Sequence, residues 1–175
     1  MRKYAIVAVL AALIVAALPG GVGATHLSAG YMSSNGQMVL TLGGRYDLSS
    51  GHALEGAYSM MPGGFDVMAR YKLPMYRSTF TLGPVFEGKI TGDHMSADPA
   101  VGAGLFVERL GVGGLGLHGS LVFRQMLDSP VGGLVAGVGA RMALADPLFL
   151  AVDAAMGLTG GVAGTEVSFG VGYAF

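Results

Sequence analysis

His118 and Ser120 stand two residues apart, a spacing that on an extended strand turns both side chains to one side. With a carboxylate beside the imidazole, such a pair could form a Ser-His-acid nucleophilic site, and Glu87 or Glu108 is the candidate acid. A second group, Asp93, His94, Met95 and Asp98, holds plausible cation ligands. No spacing within it fixes a coordination geometry, so it reads as a solvated loop and no metal is assigned. The chain has no cysteine, which removes disulfides and thiolate metal centres. Glycine-rich Val112 to Gly116 is not a phosphate loop, because no helical pattern follows to aim an N-terminus at an anion. No cofactor is implied.

The elements that must carry these residues are strands. Period-two segments are predicted at 26–33, 37–46, 53–60, 65–73, 79–90, 100–109, 115–126, 134–144, 148–158 and 166–175. Turn signals separate them: Asn35-Gly36, Ser49-Ser50-Gly51, Pro62-Gly63-Gly64, Gly111 to Gly114, Asp146-Pro147 and Thr159-Gly160-Gly161. The segments from Thr91 to Pro99 and Asp128 to Gly133 read as longer loops at one end of the strands, opposite short turns such as Ala145 to Pro147. Ten strands are favoured; loss of one hairpin near 53–73 would leave eight.

The phase of the charges is the strongest internal check. If one face of each strand is apolar (Leu27, Tyr31; Leu40, Leu42; Val101, Leu105; Val167, Phe169, Val171), the ionic residues fall on the other. The basic ones are Arg45, Arg70, Lys72, Lys89, Arg124 and Arg141. The acidic ones are Glu55, Asp66, Glu87, Glu108, Asp153 and Glu166. Arg109, at a strand end, is the exception. Six charges of each sign on one face imply a neutral, paired interior, since an isolated charge there would be costly. On that phase His118 and Ser120 join the interior polar network. Inward glycines leave room for the long side chains and for Phe106 and Phe149, and Tyr46, Tyr71, Phe80, Tyr173 and Phe175 are candidate interfacial aromatics.

Arg2 and Lys3, the uncharged run from Tyr4 to Leu18 and the small residues Val22-Gly23-Ala24 read as an export signal over 1–24, cleaved after Ala24. Residues 25–175 would then form one domain. Removing Arg2 and Lys3 takes the formal charge from −1 to −3, which offers nucleic acid no basic footprint. Mean hydropathy is high at +0.58, yet no later stretch of about 18 residues is apolar and uncharged, as a spanning helix would need. An exported, apolar chain without such a helix points to an all-β, closed antiparallel up-and-down transmembrane barrel.

The segment 168–175 (SFGVGYAF) places Ser168, Gly170, Tyr173 and Phe175 at polar, glycine, aromatic and aromatic positions. It resembles the closing strand of small bacterial outer-membrane β-barrel proteins, and the chain is similar in length to the OmpX- and OmpA-type barrels. The resemblance implies a bacterial outer-membrane location, outer-membrane lipids as surroundings and recognition of the last strand by the barrel-assembly machinery. The His-x-Ser spacing resembles that of outer-membrane lipid A deacylases, but those act on a lipid and here both residues take the interior phase. The function expected is therefore non-catalytic: structural, adhesive or envelope-stabilising, with a plugged or narrow lumen. The alternatives are a porin-like channel for small solutes, a lipid A-modifying esterase using His118 and Ser120, and a soluble periplasmic lipocalin-like barrel with the same alternation turned inside out.

Overall fold

Alternation of apolar with small or ionic residues leaves each segment one face for each of two environments, and the backbone answers with long strands. The computed structural model describes residues 26–34, 37–48, 50–93, 95–109, 114–161 and 164–175. The leader 1–24 with its cleavage site, the Asn35-Gly36 turn, Ser49, His94 and Gly111 to Gly113 lie outside the described residues. The strands are β1 (His26–Ser34), β2 (Gln37–Asp47), β3 (Ala53–Met61), β4 (Gly64–Lys72), β5 (Tyr76–Arg77), β6 (Thr81–Asp93), β7 (Ala97–Arg109), β8 (Leu115–Met126), β9 (Gly132–Ala145), β10 (Leu148–Gly157) and β11 (Thr165–Ala174).

Every long strand pairs antiparallel with its chain neighbours, β1 pairs with β11, and β4 pairs directly with β6. The sheet therefore closes on itself as a ten-strand up-and-down barrel. The two-residue β5 is an appendage on the end of β6, with Tyr76 facing Leu82. The region 53–73, where the strand number was least constrained, is a full hairpin with Glu55 opposite Arg70 and Tyr58 opposite Val67. The eight-strand alternative is excluded.

The expected contrast between long loops at one end and short turns at the other is absent. Thr91 faces Asp98 and Ile90 faces Pro99, so most of the segment from Thr91 to Pro99 is ladder, not loop. Its turn is tight because Asp93 Oδ1 accepts hydrogen bonds from the backbone N–H of Met95 (2.7 Å) and Ser96 (2.8 Å), a local bond that favours a turn over an open loop. The connection 73–80, at the opposite end of the barrel, is longer. Asp146–Pro147 closes its turn with a cis peptide bond. The turn glycines Gly51, Gly63, Gly114 and Gly160 all have φ between 74° and 82°, the left-handed region that side chains disfavour.

The two faces of the wall differ as the charge phase predicts. Outward residues such as Leu105 (57% exposed), Phe123 (54%) and Val138 (64%) are uncovered. Inside, Val85, Phe106 and Val122 are almost completely buried and form a small apolar plug. Phe106 thus lies inward as expected; Val85 and Val122, apolar residues on the ionic phase, were not singled out beforehand. A soluble barrel would have the reverse arrangement, so that alternative fails on the phase of its own apolar residues. Tyr46 shares the outward phase yet is buried. Arg109 is exposed at its strand end.

Candidate functional site

The ionic residues meet inside the barrel because the register lines them up. One row of paired residues runs Arg45, Glu55, Arg70, Glu87, Gly102, Arg124 across six consecutive strands of the wall. Signs alternate along it, with glycine as the single gap. Neighbouring charges of opposite sign on one face of a sheet attract, and in a low-dielectric interior they offset the cost of leaving water.

Contacts then extend from this row into three groups. At the end of the barrel that carries the start of β1 and the end of β11, Arg45 donates to Glu55 (3.2 Å) and Glu108 (2.8 Å), and Lys72 Nζ bridges the same two carboxylates at 2.8 and 2.5 Å. Asp47 takes the remaining Arg45 Nε–H at 2.7 Å, and Lys72 sits 5.4 Å from the centre of the Phe106 ring. Midway, the Glu87 carboxylate accepts from Arg70 Nε at 2.8 Å and from Arg124 Nε and Nη2 at 2.7 and 2.6 Å. Toward the far end, Lys89 Nζ lies 2.9 Å from both Asp66 and Glu166.

Several of these pairs cross the lumen. Arg45 on β2 and Glu108 on β7 are not on neighbouring strands, and Lys89 on β6 and Glu166 on β11 stand on opposite sides of the ring. A strand pair could form within the wall alone, whereas these contacts fill the space between walls. Glu87, with a side chain 1% exposed, is the most deeply enclosed carboxylate of the set.

His118 and Asp153 form a separate pair on the other side. His118 Nε2 lies 2.5 Å from Asp153 Oδ1 across Gly139, which stands between them in the register. A Cβ at Gly139 would come within 2.3 Å of Nε2 and 2.4 Å of Oδ1, so this contact needs a residue without one. The carboxylate on the imidazole is thus neither Glu87 nor Glu108, which are held by arginines and a lysine. Ser120 lines the same cavity, but no hydrogen bond joins it to His118. The triad that the spacing could have formed is not assembled.

Arg141 is also inward but makes a different contact, its guanidinium lying 5.9 Å from the centre of the Phe149 ring. His26 meets the same ring edge-on at 5.2 Å and is buried. Phe149 lies flat against Gly172, where a Cβ would come within 2.1 Å of the ring. His26, at the edge of a predicted strand, was given no role from the sequence, and Asp47 lies one residue beyond the predicted strand 37–46; both share the ionic phase, which was the available signal. Of the proposed cation group, Asp98 belongs to β7 and Met95 is fully exposed. Among the described residues no cluster of three metal-ligating side chains occurs.

The strand carrying the expected assembly signal splits by phase. Ser168 and Gly170 line the interior, while Tyr173 and Phe175 are outward with ring centres 4.9 Å apart. Tyr71, Phe80, Tyr173 and Phe175 gather at one end of the barrel, and Tyr76 pairs with Phe80 there at 5.4 Å.

No protein-family model matches the sequence, and no curated protein matches it. Solved structures do. An outer membrane channel from Pseudomonas putida F1 aligns over 91% of this chain and 97% of its own, with a TM-score of 0.54 at 11% identity. The NanC porin aligns over 85% and 98%, with a TM-score of 0.52 at 9% identity. At such identities the likeness is one of fold: this chain has the closed antiparallel barrel of outer-membrane β-barrel proteins.

Proposed function

We propose that this chain is an integral protein of the bacterial outer membrane, without a catalytic role, that contributes to the envelope as a closed barrel. The apolar belt faces the lipid, and the end bearing the aromatic cluster faces the periplasm. Ser168, Gly170, Tyr173 and Phe175 are assigned to recognition by the barrel-assembly machinery. The observation that carries the reading is the set of ion pairs spanning the lumen, above all Lys89 with Glu166 and Arg45 with Glu108. Pulling such a pair apart strands two charges in a confined space, which makes an open pore costly.

A porin-like channel is the second reading, supported by unfilled space: a cavity of about 420 Å³ at the far mouth and one of about 210 Å³ within. The solved relatives' own descriptions as channel and porin are consistent with it. Recording from the purified protein in a planar bilayer separates the two. The closed-barrel reading expects a silent membrane after verified insertion; a stable unitary conductance would overturn it.

A further inference from the structure

Among the described residues, five of the six inward cations have a carboxylate within 4 Å; Arg141 does not, and Glu55 acts on it only at longer range. Its neighbours along the register are Ala151 on β10 and Gly116 on β8, followed by Gly170 and Gly30, so the wall around it is nearly bare of side chains. A Cβ at Gly116 would meet nothing closer than 3.8 Å. The guanidinium faces the cavity of about 210 Å³, together with Ser28 and Gly30. Carboxylates that line this cavity are already engaged: Glu55 by Arg45 and Lys72, Asp66 and Glu166 by Lys89, and Asp153 by His118.

We propose that Arg141 anchors a binding site for a small oxyanion inside the barrel, near the end that carries the start of β1. A guanidinium presents a rigid fork of N–H donors matched to two oxygens of a phosphate or carboxylate. Phe149 holds the fork from one side by a cation–π contact, which orients it without neutralising it. The bare wall supplies the room, and Ser28 lines the same cavity. The anion would neutralise the remaining cation, as the carboxylates do for the other five. Entry requires access from one mouth only, so the site is independent of whether the lumen conducts.

Inorganic phosphate is the probe. The full chain, folded in octyl glucoside, is titrated at constant ionic strength set with sodium chloride, and the ³¹P line width of phosphate is followed. Saturable broadening is expected for the native protein, roughly tenfold weaker binding for Arg141→Gln, and an intermediate value for Arg141→Lys, which keeps the charge and loses the fork. If Arg141→Gln fails to fold, Arg141→Lys alone decides: weakened but saturable binding supports the site, and unchanged binding overturns it. Absence of saturable broadening in the native protein, or equal binding by Arg141→Gln, also overturns it.

Discussion

Glu87 accepts from two arginines with its side chain 1% exposed, so its charge holds two cations at once. Glu87→Gln removes that charge and leaves Arg70 on β4 and Arg124 on β8 without the carboxylate they share. Loss of one partner from an enclosed ion pair costs roughly 3–5 kcal/mol, which urea unfolding of the refolded barrel in lipid vesicles measures directly. Gly139→Ala acts by volume instead. Its Cβ would fall on the contact between His118 and Asp153, and forcing the pair apart costs about 1–3 kcal/mol. Gly88→Ala is the control: no atom lies within 4 Å of a Cβ there, and the change is expected to stay within about 0.5 kcal/mol. If the two glycine variants unfold at the same urea concentration, the lumenal packing described around Gly139 is wrong.

Strands owe their position to the phase of their apolar residues. Leu105, near the middle of β7 and 57% exposed, is part of the belt assigned to lipid. Leu105→Arg is expected to cost roughly 2–4 kcal/mol in a bilayer, read from the same vesicle unfolding; a neutral result would mean that this face meets water. Much of this scale was legible in the sequence, because a period of two names both faces of a strand at once. Arg45, Glu55, Arg70 and the other ionic residues of the strands could therefore be placed on the interior phase, and six of the turns follow from glycine, proline and asparagine chemistry only approximately. The misreading of 91–99 shows the limit. Asp93, Asp98 and Pro99 are residues that break strands in isolation, yet the neighbouring strand supplies a ladder that overrides the local preference. β5 was invisible because two residues carry no period.

Across the whole molecule, which cation meets which carboxylate was not legible. Arg45 and Glu108 are 63 residues apart in the chain, and Lys89 and Glu166 are 77 apart. Their meeting depends on closure and register, which no local pattern encodes. The same holds for Asp153, which reaches His118 only because Gly139 stands between their strands. Closure of the ring thus brings ten of the twelve charges into ion pairs within and across the lumen, with Arg141 and Asp153 outside that set, and it turns the outer face into one continuous apolar belt. That division between the two sides of the wall is the claim on which the proposed function stands. It can be read along a single strand, since the chain has no native cysteine to remove. Nitroxide labels on single cysteines at successive positions from 100 to 107 of β7, in lipid bilayers, report collision with oxygen and with a water-soluble nickel complex. Oxygen accessibility is predicted to peak at Val101, Ala103, Leu105 and Val107 and to fall at Gly102, Gly104 and Phe106. Nickel access at the first set, or no alternation at all, would contradict it.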